Sequence, residues 1–113
     1  MELSNLETVQ VPNATVEFKK GLMGSVPTYV FSCVNGGHPM VNAMAGLAML
    51  KDGEQLVMYN HCAPMGLYPK IEADFSYTHQ EMPNGATQIV FSKKSNAQGA
   101  TDFSSTSCSG GCG

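Results

Sequence analysis

Arginine and tryptophan are absent from this chain of 113 residues, and charged side chains make up only 13% of it. Globular domains usually carry about 25% charged residues, so the surface is weakly charged. With no arginine and a net charge of −3, no cluster of cations is available to neutralise phosphates, which argues against a nucleic-acid partner. The same lack argues against a membrane surface, since anionic lipid recruits basic faces. Residues 1–7 offer neither a basic stretch nor an apolar one, so no secretory signal is expected there. The longest nearly apolar run, residues 40–50, is interrupted by Asn42 and falls short of the about 20 residues a bilayer requires. A soluble chain is expected, its compartment left open. No phosphate-binding loop, dinucleotide fingerprint, catalytic serine motif or spaced carboxylate pair occurs, so an enzyme acting alone is the weaker class. Four cysteines (Cys33, Cys62, Cys108 and Cys112) are too sparse for a disulfide scaffold and do not fix the redox compartment.

What the chain does contain is a core. Hydrophobic residues make up 42% of it, enough for one folded domain at this length. Thr8-Val9-Gln10-Val11 and Ala14-Thr15-Val16-Glu17-Phe18 alternate apolar and polar side chains, the strand period, with Pro12-Asn13 as a turn or bulge between them. Residues 28–34 (TYVFSCV) are aromatic and β-branched and predict a buried strand before the turn at Asn35-Gly36-Gly37. Residues 40–50 (MVNAMAGLAML) fit a helix, with Met40, Met44, Leu47 and Ala48 on one face, but Gly46 and the short length leave a pair of buried strands open. Residues 55–59 predict another strand. Ile71, Ala73, Phe75 and Tyr77 alternate along the next, Pro83-Asn84-Gly85 marks a hairpin, and residues 87–91 return. The expected fold is mainly β: a small antiparallel sandwich or barrel with at most one short helix. Its body is expected over residues 1–92. Residues 93–113 hold one large apolar side chain, Phe103, among Ser, Thr, Gly, Asn and Gln, and are expected to form a flexible C-terminal arm.

Chemistry concentrates in that arm. Cys108 and Cys112 sit among serines and glycines, a setting that suits a thiol presented to another protein. A Cys108–Cys112 disulfide closing a small loop is the structural alternative. Each histidine is followed closely by a methionine: His38 by Met40, His61 by Met65, His79 by Met82. Imidazole, thiolate and thioether suit a soft metal, so His38, His61, Cys108 and Cys112 form a candidate set for copper or an iron–sulfur cluster. Methionine as a core filler explains the same pattern without a ligand. Cys33, mid-strand beside Val34, is expected to be buried and inert. Cys62 lies beside His61, an arrangement that would lower its pKa only in suitable geometry.

The ending Gly110-Gly111-Cys112-Gly113 resembles the glycine-rich cysteine arm of the Sox-type sulfur carriers (SoxY-like), with one glycine fewer and Cys108 as an additional thiol. His38-Pro39-Met40 and residues 67–73 (LYPKIEA) resemble the companion subunit of that family (SoxZ-like). The resemblance implies an immunoglobulin-like sandwich, Cys112 as the sulfur-bearing residue and no bound cofactor. It further implies sulfur-transfer enzymes or a companion subunit as partners, and a periplasmic location. A strand, then Ser95-Asn96-Ala97, then paired cysteines is similar to the A-type iron–sulfur carriers, although His38 stands where that family places a cysteine. Two further classes compete. One is a ribosomal peptide precursor cleaved after Gly99-Ala100, and the other a β-domain that self-assembles through its weakly charged surface.

Overall fold

A computed structural model describes residues 3–12, 14–33, 39–60, 67–94 and 99. Strand β1 (Leu3–Val9) is followed by the hairpin of β2 (Phe18–Met23) and β3 (Val26–Ser32). Its two-residue loop opens on Gly24 at φ 65°, the positive-φ position that such tight hairpins require. Helix α1 (Pro39–Met49) then leads to β4 (Gln55–Asn60), which lies parallel to β3. A short helix α2 (Tyr68–Ile71) precedes the antiparallel hairpin of β5 (Phe75–Glu81) and β6 (Thr87–Lys93). That hairpin closes at Pro83-Asn84-Gly85 as its sequence predicts. Met82 N–H donates to the Ala86 carbonyl at 2.8 Å, and Ala86 N–H donates to Asn84 Oδ1 at 3.0 Å.

The protein is mainly β, as expected, with all six strands in one sheet ordered β1-β2-β3-β4-β6-β5. The finer expectations need correction. Among the described residues no second sheet packs against the first, the β3–β4 pair is parallel rather than antiparallel, and there are two helices instead of at most one. The cause lies in residues 40–50, where helix is the conformation adopted. An intervening helix carries the chain back across the sheet, which is how a parallel neighbour is reached. Met40, Ala43, Met44 and Leu47 fall at helical spacing and are buried against Phe18, Phe31, Leu56 and Met58 of the sheet. Gly46 makes this contact close. A Cβ there would stand 2.9 Å from Phe18 Cε2 and 3.1 Å from both Leu56 methyl groups.

The expected strand over residues 14–18 also differs, since β2 starts only at Phe18. Asn42, fully buried on α1, accepts from Thr15 N–H at 2.8 Å and from Val16 N–H at 3.3 Å, and its Nδ2 donates to Thr15 Oγ1 at 2.8 Å. Those backbone donors are thereby bound to the helix and not to a ladder. The two sheet faces are chemically distinct. One carries Phe18, Phe31, Leu56, Ile89 and Phe91, all in the core cluster that includes the buried side chains of α1. The other bears an amide and hydroxyl row in which Gln80 Nε2 donates to Gln88 Oε1 and Gln88 Nε2 to the Tyr59 hydroxyl, each at 3.0 Å.

Candidate functional site

Because β3 and β4 are parallel, both finish at the same end of the sheet. Ser32 is in register with Tyr59, and Cys33 N–H donates to the Tyr59 carbonyl at 2.8 Å. Open α/β sheets commonly bind ligands beyond the carboxyl ends of parallel strands. Strand alternation puts Cys33 and Asn60 on the helix-bearing face, and the ladder continues their row through Thr87 to Glu81. Cys33 and Asn60 are each 1% exposed and Thr87 6%, while Glu81 is exposed.

Asn60 is the anomaly of this row. Neither its Nδ2 nor its Oδ1 has a hydrogen-bond partner among the described residues. A buried amide in that condition costs about 1–3 kcal/mol, so it calls for a reason. The Tyr68 hydroxyl, 4% exposed, is in the same state. Tyr68 opens α2, where Pro69 is set for the first helical turn. Its ring stacks on Tyr77 of β5 with centroids 3.8 Å apart and planes 9° apart, and lies 6.2 Å from the His79 ring. Burial, with a smaller contribution from Tyr77, pushes the Tyr68 pKa up to about 12, so the phenol is neutral and able both to donate and to accept.

Formal charge is paired at the other end of the sheet, where Lys20 Nζ lies 3.6 Å from Glu54 and 4.9 Å from the centre of the Tyr29 ring. Burial alone pushes the Cys33 thiol up, which keeps it protonated and a poor nucleophile, as its place in the sequence suggests. The buried row Cys33, Asn60 and Thr87 is therefore uncharged and polar. It can recognise hydrogen-bonding groups, and it holds no general base or activated nucleophile.

The candidate residues His38, His61, Cys108 and Cys112, with Cys62, lie outside the described residues. No group of three or more His, Cys, Asp or Glu able to hold a metal ion occurs among the described residues. His79 is described, exposed on β5 beside the Tyr68–Tyr77 stack. Met40 of the histidine–methionine pattern is a core residue 4% exposed, and Met23, Met44 and Met58 are buried as well, the use expected of a flexible filler. Asn60, Tyr68 and Thr87 were not legible as site residues. Asn60 reads as the polar end of an apolar strand, and only the three-dimensional row shows its amide unpaired. Comparison of the chain with protein-family models, curated proteins and solved structures gives no match.

Proposed function

We propose that the protein is a thiol carrier in which Cys112 takes up a sulfur species and presents it to partner enzymes. The make-up of residues 104–113 carries this assignment: two cysteines among Ser, Thr and Gly, with no bulky side chain to obstruct access to either sulfur. The sheet supports it by subtraction, since Cys33 is buried and held protonated. Only a thiolate is nucleophilic, so exchange chemistry falls to the other cysteines.

The proposed reaction is thiol–persulfide exchange. The Cys112 thiolate attacks the outer sulfur of a partner's persulfide, a new S–S bond forms at Cys112, and the partner leaves as a thiolate. Delivery runs the same exchange in reverse on an acceptor thiolate. Cys108 provides a discharge route: its thiolate attacks the Cys112 sulfur, the Cys108–Cys112 disulfide forms, and hydrosulfide departs with the electron pair. Sulfur-transfer enzymes or a companion subunit are the partners this chemistry requires, and an oxidising compartment such as the periplasm suits it.

Loading of the full chain by glutathione persulfide tests the proposal. Intact mass is expected to rise by whole sulfur atoms in the wild type and in Cys33→Ser, and to remain unchanged in Cys112→Ser. Equal loading of both variants contradicts the proposal. Stoichiometric copper or iron after anaerobic purification contradicts it too, and transfers the assignment to a metal site built from His38, His61, Cys108 and Cys112.

A further inference from the structure

Apart from its thiols, we infer that the arm docks on the body, with the Phe103 ring seated in a cavity on the sheet face opposite α1. The strand register defines that cavity. Gln55, Ser92 and Ser76 form one row across β4, β6 and β5, and Val57, Val90 and Thr78 form the next. These residues alternate with Leu56, Phe91 and Phe75 of the core, so they face away from α1. Gln55, Ser76, Thr78, Val90 and Ser92, with Met23 of β2, line a cavity of about 240 Å³. Met23 is 7% exposed while Ser76 and Thr78 are exposed, so the cavity closes at β2 and opens at the β5 edge. Thr28 and Val57 are fully buried on this face, yet neither belongs to the core cluster that includes α1. The face has a dry centre of its own.

The occupant follows from where the chain is held and what comes after it. Gly99 N–H donates to Asp74 Oδ1 at 3.2 Å. Asp74 stands two residues before Ser76, a separation of at most about 7 Å along the backbone. The arm is thereby fastened next to the open side of the cavity. Phe103 follows four residues after Gly99, and four extended residues reach about 13 Å. It is the one large apolar side chain of residues 100–113, whose other members are Ala, Thr, Asp, Ser, Gly and Cys.

Size and polarity agree with this guest. A dry cavity of about 150 Å³ already admits benzene, so a benzyl side chain fits one of about 240 Å³. No lining residue carries formal charge, and Met23 and Val90 present apolar surface, which favours a neutral ring over an ion. Burial of the ring offsets part of the ordering entropy that an arm of small polar residues cannot otherwise recover. The contact does not depend on the sulfur assignment: Cys112 can fail to load with Phe103 docked, and can load with Phe103 free.

Methyl NMR of the full chain, labelled at its Met and Val methyl groups, is the test. NOEs are expected from the Phe103 ring to the methyl groups of Met23 and Val90. Phe103→Ala should abolish those NOEs and move both methyl resonances, while Met44 and Met58, buried in the core cluster, keep theirs. Unmoved Met44 and Met58 resonances also establish that the variant is folded. Absence of NOEs from the Phe103 ring to Met23 and Val90, or resonances of those two residues that stay put in Phe103→Ala, overturns the inference. NOEs that fade on dilution overturn it as well, because they place the arm of a second copy in the cavity.

Discussion

Tyr68 shows how one buried hydroxyl reports on its surroundings. Its ring is held by the Tyr77 stack and its hydroxyl lacks a partner among the described residues, so burial penalises the phenolate and raises the pKa to about 12. In the unfolded chain a tyrosine ionises near 10. Between these values the unfolded state releases a proton that the folded state retains, so stability falls as pH rises through that window. Below about pH 10 the contribution is fully present. By about pH 12 a difference near 3 kcal/mol is lost, at 1.36 kcal/mol per pKa unit. Tyr68→Phe should remove this part of the alkaline dependence, and at pH 7 it should be at least as stable as the wild type because it deletes an unpaired hydroxyl. Urea titrations of both proteins at pH 7, 9 and 11.5 measure this, and parallel alkaline losses would contradict it. Asn42 is the counter-example, a buried amide whose hydrogen bonds to Thr15 and Val16 fasten the helix to the β1–β2 connection.

At the scale of the elements, α1 and its crossover determine the topology. Gly46 is the weakest helix former in the interior of α1, and Ala in its place would gain about 1 kcal/mol of intrinsic propensity. The packing runs the other way. The added methyl would meet the Phe18 ring at 2.9 Å and Leu56 at 3.1 Å, both fully buried. Overpacking of this kind costs about 1–3 kcal/mol, so after the propensity gain Gly46→Ala is expected to be net destabilised by up to about 2 kcal/mol in urea unfolding. A stabilised variant would show that α1 stands off the sheet. The same helix explains which elements the sequence revealed. The β5–β6 hairpin was legible from Phe75 onward because alternation, β-branched residues and Pro83-Asn84-Gly85 all agree, whereas Ile71 and Ala73, read as the start of that strand, lie in α2 and the turn after it. Residues 40–50 were ambiguous because α1 is buried over most of its circumference, with Asn42, Ala43, Met44, Ala45, Gly46 and Leu47 all buried in succession. A helix enclosed in this way loses the polar face that makes its period visible. The parallel pairing of β3 with β4 could not be read locally, since it depends on that helix. The onset of β2 was missed for a related reason, because the Asn42 side chain that binds the backbone of Thr15 and Val16 is distant in sequence.

For the whole molecule, the parallel pair gives the sheet a distinguishable end with buried, uncharged polar groups, while Lys20 and Glu54 meet at the opposite end. None of this was legible as a site, because whether Asn60 has a partner depends on β6, α2 and the connections around it. The thiol signal is the reverse case. Cys108 and Cys112 stand out in the sequence by composition alone, and within the described part of the fold the chemistry of sulfur is represented by one inert thiol, Cys33. In the proposed carrier, the exchange chemistry would belong to Cys112 and not to the sheet. The most direct measurement is the intact mass of the protein isolated gently from its native source, recorded before and after reduction. An increment of whole sulfur atoms that reduction removes, and that Cys112→Ser lacks, is the predicted result. An unmodified mass with all thiols free, or a metal-sized increment lost on denaturation, would contradict it.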